Sequence, residues 1–511
     1  MKHIARSSLI IAFFFGIDKV LGLVRQILIA HEFGLTHKID VFNAANNIPD
    51  LLSALISGGA LGVALIPVLS EYLKKKGRPA AWELFARILN LAFLFTAGLS
   101  VLIMAFANPL VTYIIAPGFS PSQQILTIEL MRLDLIAILI FSISGLVMAG
   151  LQANQHFTLP AMAPALYNIG QIFGITILAP HTGFSLGSIT FPSLGLGIHG
   201  LVYGVILGAS LHLLIQIPGL IHYQFVWVPV INLRDSGVRK VLYLMGPRVA
   251  TMFFVQIFFI TRDNLASHLG EGAITALNYG WFIMQVPETL IGSALAIVLL
   301  PTLAEFFAKG EQGAYQETIN TAIKTLLALT IPIAVLLAIG LRPMVWVLGF
   351  DQAGTDMVVW VTRFYLLGLT SHTLLELASR SFYAKQDALT PLLAAFLNAI
   401  GYIFFAILFS RLWQQNGIAL ANSLSFTLEA LLLLFLLNRK FPGILKTGDT
   451  IPRAGIGTII SGGVVFTLLR ILPIGKSSPI LSASITGGIL IIGALIALPF
   501  VHKEIKILIH L

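Results

Sequence analysis

The sequence predicts an all-α polytopic membrane protein with 14 transmembrane helices, arranged as two parallel six-helix repeats plus two C-terminal helices. Three observations carry that reading. Hydrophobic residues fill 57% of the 511 positions and charged residues only 10%, and the mean hydropathy is +0.91, outside the range of water-soluble domains. The apolar runs have the length, about 20 residues, at which a helix crosses a bilayer. One proline-punctuated phrase also occurs twice, as IPDLLSALISGGALGVALIPVLSEYL at 48–73 and VPETLIGSALAIVLLPTLAEFFA at 286–308.

In chain order the spans are expected near 7–33, 41–71, 86–114, 125–152, 158–179, 197–221, 241–267, 274–305, 318–346, 356–382, 389–411, 416–438, 452–472 and 480–501. The first apolar run is followed by Asp18 and Lys19 with no small-x-small cleavage site, so it is read as a retained helix and not a signal peptide. With this count, one side collects Lys2, Arg6, Lys74, Lys75, Lys76, Arg78, Arg234, Arg239, Lys240, Lys309, Arg380, Lys385, Arg439, Lys440, Lys446, Arg453, Lys503 and Lys506, with both termini. The other side holds only Lys38, Arg342, Arg411, Arg470 and Lys476. The positive-inside rule then places both termini in the cytoplasm. The net charge of +9 is explained by juxtamembrane basic residues facing anionic lipid headgroups, without a nucleic-acid partner.

The repeat extends beyond its first phrase. LQANQHFTLP (151–160) matches FYAKQDALTP (382–391), and the offset of 231 is close to the 234 that separates Pro67 from Pro301. Helices 1–6 therefore duplicate as 7–12, with lobes at 1–222 and 223–440 and two further helices in 441–511. Six is even, so both copies enter the membrane the same way. Such parallel repeats are a transporter architecture, with a central cavity and alternating access.

Ionisable residues inside spans are expensive and point to function. In helix 1, Asp18 and Arg25 share a face. They either neutralise each other or, with Lys19, line a cavity. Asp40 opens helix 2, where the helix dipole favours an acid. Asp50 and Glu288 follow prolines, as local caps or at helix breaks. Glu129, Arg132 and Asp134 read as one mutually satisfied cluster, His372 and Glu376 as an i,i+4 pair, and Glu429 as solitary. Arg248 and Arg262 of helix 7 point in similar directions. Arg262 and Asp263 are adjacent and so are not expected to face each other. The chain has no cysteine, which excludes disulfides and thiolate chemistry. GKSS at 475–478 lacks the first glycine of a phosphate loop. No catalytic constellation and no cofactor are predicted.

DKVLGLVRQILIAHEFG, DVFNAANNIPDLLSALISGGALGVALIPVLSEY, LPAMAPALYNIG and LLPTLAEFFA resemble the MurJ lipid II flippases of the multidrug/oligosaccharidyl-lipid/polysaccharide exporter superfamily, over essentially the whole chain. The resemblance implies a non-enzymatic flippase of the bacterial plasma (inner) membrane. It would move undecaprenyl-pyrophosphate-linked peptidoglycan precursor to the outer leaflet, with a cationic central cavity, a lipid-tail groove on the last two helices, and the cell-wall synthesis machinery as a partner. Residue by residue, the family's helix 1 pattern falls on Asp18, Lys19, Gly22, Arg25 and Gln26. Its helix 2 acid falls on Asp40 and its Pro-Asn-Leu-Leu on Pro49-Asp50-Leu51-Leu52. Ser53 stands where the family has a base, Gly58 where it has an acid and Phe282 where it has an arginine. The substrate-binding candidates are Lys19, Arg25, Asp40, Arg262, Asp18 and Ser53, Arg262 replacing charge lost at Phe282. No metal is predicted: some members of the family bind sodium with helix 7 and an acid of helix 11, where this chain offers Asp263 and, in place of the acid, only Asn398, the two weak sodium candidates. Two other classes share parts of the pattern: an exporter of other lipid-linked glycans or cationic drugs, and a membrane glycosyltransferase, which would need an acidic outer loop.

Overall fold

A computed structural model of the chain describes residues 2–56, 60–183, 185–186, 189–190, 192–472 and 478–510. Gly58 and the GKS of 475–477 lie outside the described residues, as does the side chain of Arg248. The first half runs through α1 (Lys2–Phe33), α2 (His37–Ile56), α3 (Ala60–Lys75), α4 (Gly77–Ala105), α5 (Ala107–Pro109), α6 (Pro121–Ala153) and α7 (Thr158–Phe173). A small antiparallel ladder follows, β1 (Ser185–Leu186) with β2 (Ile189–Thr190), and then α8 (Ile198–Leu214), α9 (Ile217–His222) and α10 (Ser236–Ala266). The remainder is α11 (Ala273–Pro287), α12 (Ala294–Lys309), α13 (Gln312–Trp346), α14 (Gln352–Leu366), α15 (Leu369–Ala384), α16 (Leu389–Lys440), α17 (Thr450–Ile471) and α18 (Pro479–His510). Wider π turns occupy Leu110–Ile115, Gly174–Leu178 and Glu288–Ser293.

All the predicted spans fall on helical segments among the described residues. Nine helices there are long and apolar enough to cross a membrane by length and composition. One of these, Leu389–Lys440, carries two predicted spans, because the backbone reverses at Trp413 (φ −132°) and Gln414 (φ 51°).

The chain divides into two compact units, Met1–Asn264 and Leu265–Leu511. In the first, α2, α3 and α4 pack on α6, and α7 packs on α1 and α8. The core there gathers Leu65, Leu69, Phe85, Leu146 and Leu151. In the second, α11 packs on α14, α12 and α13 pack on α15, and α17 and α18 pack on α13. Its core holds Leu303, Tyr315, Ile319, Phe382 and Leu433. The packing of α2, α3 and α4 on α6 thus recurs as that of α11, α12 and α13 on α14 and α15.

The duplicated turn is reproduced at the level of single torsions. Gln155 (φ 59°) and Gln386 (φ 60°) both sit in the left-handed region, which side chains other than glycine seldom adopt. The next amide in each copy reaches back five residues, His156 to the Leu151 carbonyl at 2.9 Å and Asp387 to the Phe382 carbonyl at 3.1 Å. Both helices end by the same C-cap geometry. The proline phrases also behave alike. Pro49 and Pro67 lie within α2 and α3, Pro301 lies within α12, and Pro287 leads straight into a π turn, as expected where proline removes a donor. Asp50 caps nothing, since α2 continues past it to Ile56.

In the second copy the turn carries Lys385, whose ammonium lies 5.0 Å over the Phe382 ring and 4.9 Å over Phe441. Burial above all, and then the charge of Lys440, push its pKa down to about 8. An unfolded lysine keeps its proton to about 10.4. Between these values the unfolded state binds more protons, so stability rises with pH. The melting midpoint of the detergent-solubilised protein is expected to climb slightly from pH 8 to pH 10, and Lys385→Met should flatten that slope. The effect is small because the lysine as a whole is only half-buried and its charge is partly screened.

A glycine seam joins α7 to α8. A Cβ added at Gly174 would lie 2.6 Å from the Gly204 Cα, and one at Gly204 would lie 2.8 Å from the Gly174 Cα. Gly170 meets Gly208 in the same way. The pattern is Gly-x-x-x-Gly on both helices, the spacing that lets membrane helices approach to backbone contact. Gly204→Leu is expected to destabilise the protein by about 3 kcal/mol or more, the upper range of overpacking, read as loss of folded protein on size exclusion.

Candidate functional site

The charges of α1 face α7. The Asp18 carboxylate accepts a hydrogen bond from Asn168 Nδ2 at 2.8 Å, with Lys19 Nζ more distant at 3.9 Å. Gly22, one turn on, leaves its Cβ position 3.9 Å from the same Asn168 side chain. Lys19 is open, its side chain 77% exposed. Arg25 is half-buried, and its Nε has no hydrogen-bond partner among the described residues. The intrahelical Asp18–Arg25 pair, one of the two readings of this helix, is not formed. Asn168 takes the place of the guanidinium, leaving a partly buried cation on α1.

A second network joins α2 to α10 inside the first unit. Asn47 Nδ2 donates to Asp263 Oδ2 at 2.7 Å, Arg262 Nε donates to Asp263 Oδ1 at 2.6 Å, and Gln256 Nε2 donates to the Asn47 carbonyl at 2.9 Å. The guanidinium also lies 5.1 Å over the Phe259 ring. The expectation that Arg262 and Asp263 do not face each other is therefore incorrect. The neighbour rule concerns where Cβ atoms point, and an arginine stem is long enough to bring its planar group around the helix. The Asp263 side chain is 0% exposed, and a buried carboxylate without a counter-charge is costly. Arg262 is itself buried, 5% exposed.

Along α2, Asp40 stands in the first turn and is buried, its N–H bonded to the Thr36 carbonyl at 3.1 Å. Asp50 is exposed and Ser53 half-buried. The expected Glu129–Arg132–Asp134 cluster does not assemble. Glu129 turns to His199 at 3.1 Å, Arg132 donates to the Met104 carbonyl at 3.1 Å, and Asp134 is buried apart from both. Residues i and i+3 share a helix face, yet each here found a nearer partner on another segment.

The second unit corrects two further pairings. His372 meets Asn422 Oδ1 at 3.2 Å and stacks on Phe426, while Glu376 pairs with Arg380 at 3.2 Å. The expected His372–Glu376 contact is replaced because burial draws the imidazole to a neutral amide and an aromatic face. Glu429 is not solitary, since Asn398 Nδ2 donates to its Oε2 at 2.5 Å. Of the two sodium candidates, Asn398 is thus engaged with Glu429, and both Asp263 oxygens accept hydrogen bonds from Asn47 and Arg262. Among the described residues no group of three or more His, Asp or Glu could hold a metal ion. Phe282 is half-buried on α11. The charge-based reading missed Asn47, Asn168 and Gln256, neutral amides that carry both networks of the first unit. Their signal was an amide inside an apolar helix, which must find a partner.

Duplicated units of membrane-length helices, interrupted at prolines and carrying buried charge–amide networks, define a polytopic membrane transporter. The family model described as lipid II flippase MurJ matches residues 29–480. The chain is 30% identical to the lipid II flippase MurJ of Burkholderia cenocepacia over 463 residues, covering 89% of this chain and 86% of that protein. It is 29% identical to the probable lipid II flippase MurJ of Haemophilus influenzae, covering 82% and 83%. The chain belongs to the lipid II flippase MurJ family. Its fold is that of a solved MurJ lipid II flippase in an inward closed conformation, with TM-score 0.79 and 22% identity over 98% of this chain and 100% of the other. An inward-facing multidrug resistance MATE family transporter of the MOP superfamily is also similar, with TM-score 0.71 and 14% identity over 84% and 96%.

Proposed function

We propose that this protein flips lipid II, the lipid-linked peptidoglycan precursor, from the cytoplasmic to the outer leaflet of the bacterial inner membrane by alternating access. The observation that carries the reading is the family match over residues 29–480. The chemistry of the first unit agrees with it. A pyrophosphate crossing a low-dielectric barrier needs fixed cations, and guanidinium forks suit its oxygens. Arg25 and Lys19 supply them on α1, Arg262 adds a third on α10, and Asp18 and Asp40 tune the local field. Ser53 offers a neutral hydroxyl on α2. The polyprenyl tail stays in hydrocarbon, along a groove of the last two helices, while the headgroup passes. The chain acts without covalent chemistry of its own, and the cell-wall synthesis machinery consumes what it delivers.

The test is leaflet accessibility of lipid II in a strain depleted of its own flippase. Expression of this chain should restore surface-exposed lipid II and growth. Failure to restore either, with the protein present in the membrane, would transfer the assignment to another lipid-linked glycan. The 14-span topology, with lobes at 1–222 and 223–440 and the extra pair in 441–511, has its own test. Single cysteines introduced into this cysteine-free chain should label from the cytoplasm at 73–82 and 440–450, and from outside at 181–195. A reversed site would refute the topology without touching the substrate.

A further inference from the structure

The first unit contains an almost wholly apolar cavity of about 300 Å³ that the proposed transport does not use. Leu61 of α3, Ile88 and Phe95 of α4, and Val241 and Met245 of α10 line it. Its wall continues to Leu233, just before α10, and Val238 in its first turn, and Arg234 and Arg239 directly follow these two residues. The acids near this end are already engaged. Glu71 pairs with Lys240 at 2.6 Å and with Lys75 at 2.9 Å, Asp235 with Arg87 at 2.8 Å, and Glu83 with Arg87 at 2.5 Å. Arg234 and Arg239 are exposed and form no ion pair among the described residues. The apolar wall is therefore followed in sequence, at two places, by an exposed arginine with no ion pair among the described residues. Both arginines lie on the face that the positive-inside rule assigns to the cytoplasm.

We propose that this cavity binds one anionic phospholipid of the inner leaflet, an acyl chain filling the apolar interior and the phosphate meeting Arg234 and Arg239. Sugars and peptides would lose their hydrogen bonds inside it, and an apolar cavity gives water no partners. At about 30 Å³ per water-sized group the volume holds roughly ten methylenes, most of one acyl chain and far less than a long polyprenyl tail. Basic pockets between helices at the cytoplasmic face are the sites where anionic headgroups are recognised. The lipid would wedge between α4 and the first turns of α10, beside the Glu71–Lys240 and Arg87–Asp235 pairs that tie α10 down.

The test uses the full chain in phosphatidylcholine nanodiscs and a phosphatidylglycerol with a photoactivatable acyl chain. Crosslinks should concentrate on α4 and α10 peptides, and unlabelled phosphatidylglycerol should displace the probe about tenfold better than phosphatidylcholine. Ala92 of α4 and Leu242 of α10 also line the cavity: Ala92→Trp, which fills it, should remove these crosslinks, with Leu242→Phe as the milder alternative if the tryptophan variant does not fold. The double change Arg234→Gln with Arg239→Gln should keep chain labelling and lose the anionic preference. Labelling spread evenly over lipid-facing helices, or an anionic preference indifferent to the double change, would overturn the site. Displacement by a polyprenyl phosphate but not by phosphatidylglycerol would hand the cavity to the transported lipid and refute the proposal. Because the readout is lipid binding, it stands or falls apart from the flippase assignment.

Discussion

Arg262→Ala is expected to lower the stability of the folded protein by about 3–5 kcal/mol, the usual penalty for removing one partner of a buried ion pair. Asp263 is fully buried, and its two oxygens accept from Asn47 and from Arg262. Without the guanidinium the carboxylate keeps only an amide, which cannot offset the lost solvation of a full charge. Replacing both residues by apolar groups of similar volume, Arg262→Met with Asp263→Leu, should recover most of that stability, since no orphaned charge remains. Lipid II flipping should stay lost in the double variant if Arg262 also meets the pyrophosphate. Thermal melting in detergent reads the first quantity and lipid II accessibility the second. A double variant that is both stable and active would reduce Arg262 to a structural counter-ion and end its assignment to the substrate.

Arg25→Ala should do the opposite, leaving folding near normal and flipping reduced about 10- to 100-fold. That is the scale of one charge-assisted hydrogen bond of about 1.5–3 kcal/mol. Removing Arg25 orphans no described acid, because Asp18 is held by Asn168 with Lys19 nearby. For the same reason the double change Asp18→Ala with Arg25→Ala should show the same reduced flipping. Restored flipping in that double variant would mean that Arg25 served only to balance Asp18, and the phosphate role would fall.

The contrast between these two arginines shows what was legible beforehand. Span positions followed from hydropathy, because twenty apolar residues have few places to go but the bilayer. The duplication followed from offsets, and Gln155 and Gln386 confirm it with matching left-handed torsions. Partner choice was not legible in the same way. Arg262 reached Asp263 around its own helix, Asp18 took Asn168 in place of Arg25, and His372 took Asn422 in place of Glu376. Charge in a span states that a partner is required. Which partner depends on the helix that tertiary packing brings alongside, and neutral amides compete for that role.

The glycine seam has a consequence for motion. Where Gly170 and Gly174 meet Gly204 and Gly208, no layer of side chains separates the two backbones. Packed helices slide past each other by small repacking of such a layer, the shear mode of conformational change. Here a displacement along the axis would drive the α8 backbone into bulkier neighbours, as Gly208 already abuts Tyr167 and Gly200 abuts Ala179. Shear is thus closed to α7 and α8, and the pair must travel as one rigid hairpin. Any rotation it makes has to be absorbed at its ends, where Gln155 and the π turn at Gly174–Leu178 already depart from regular helix.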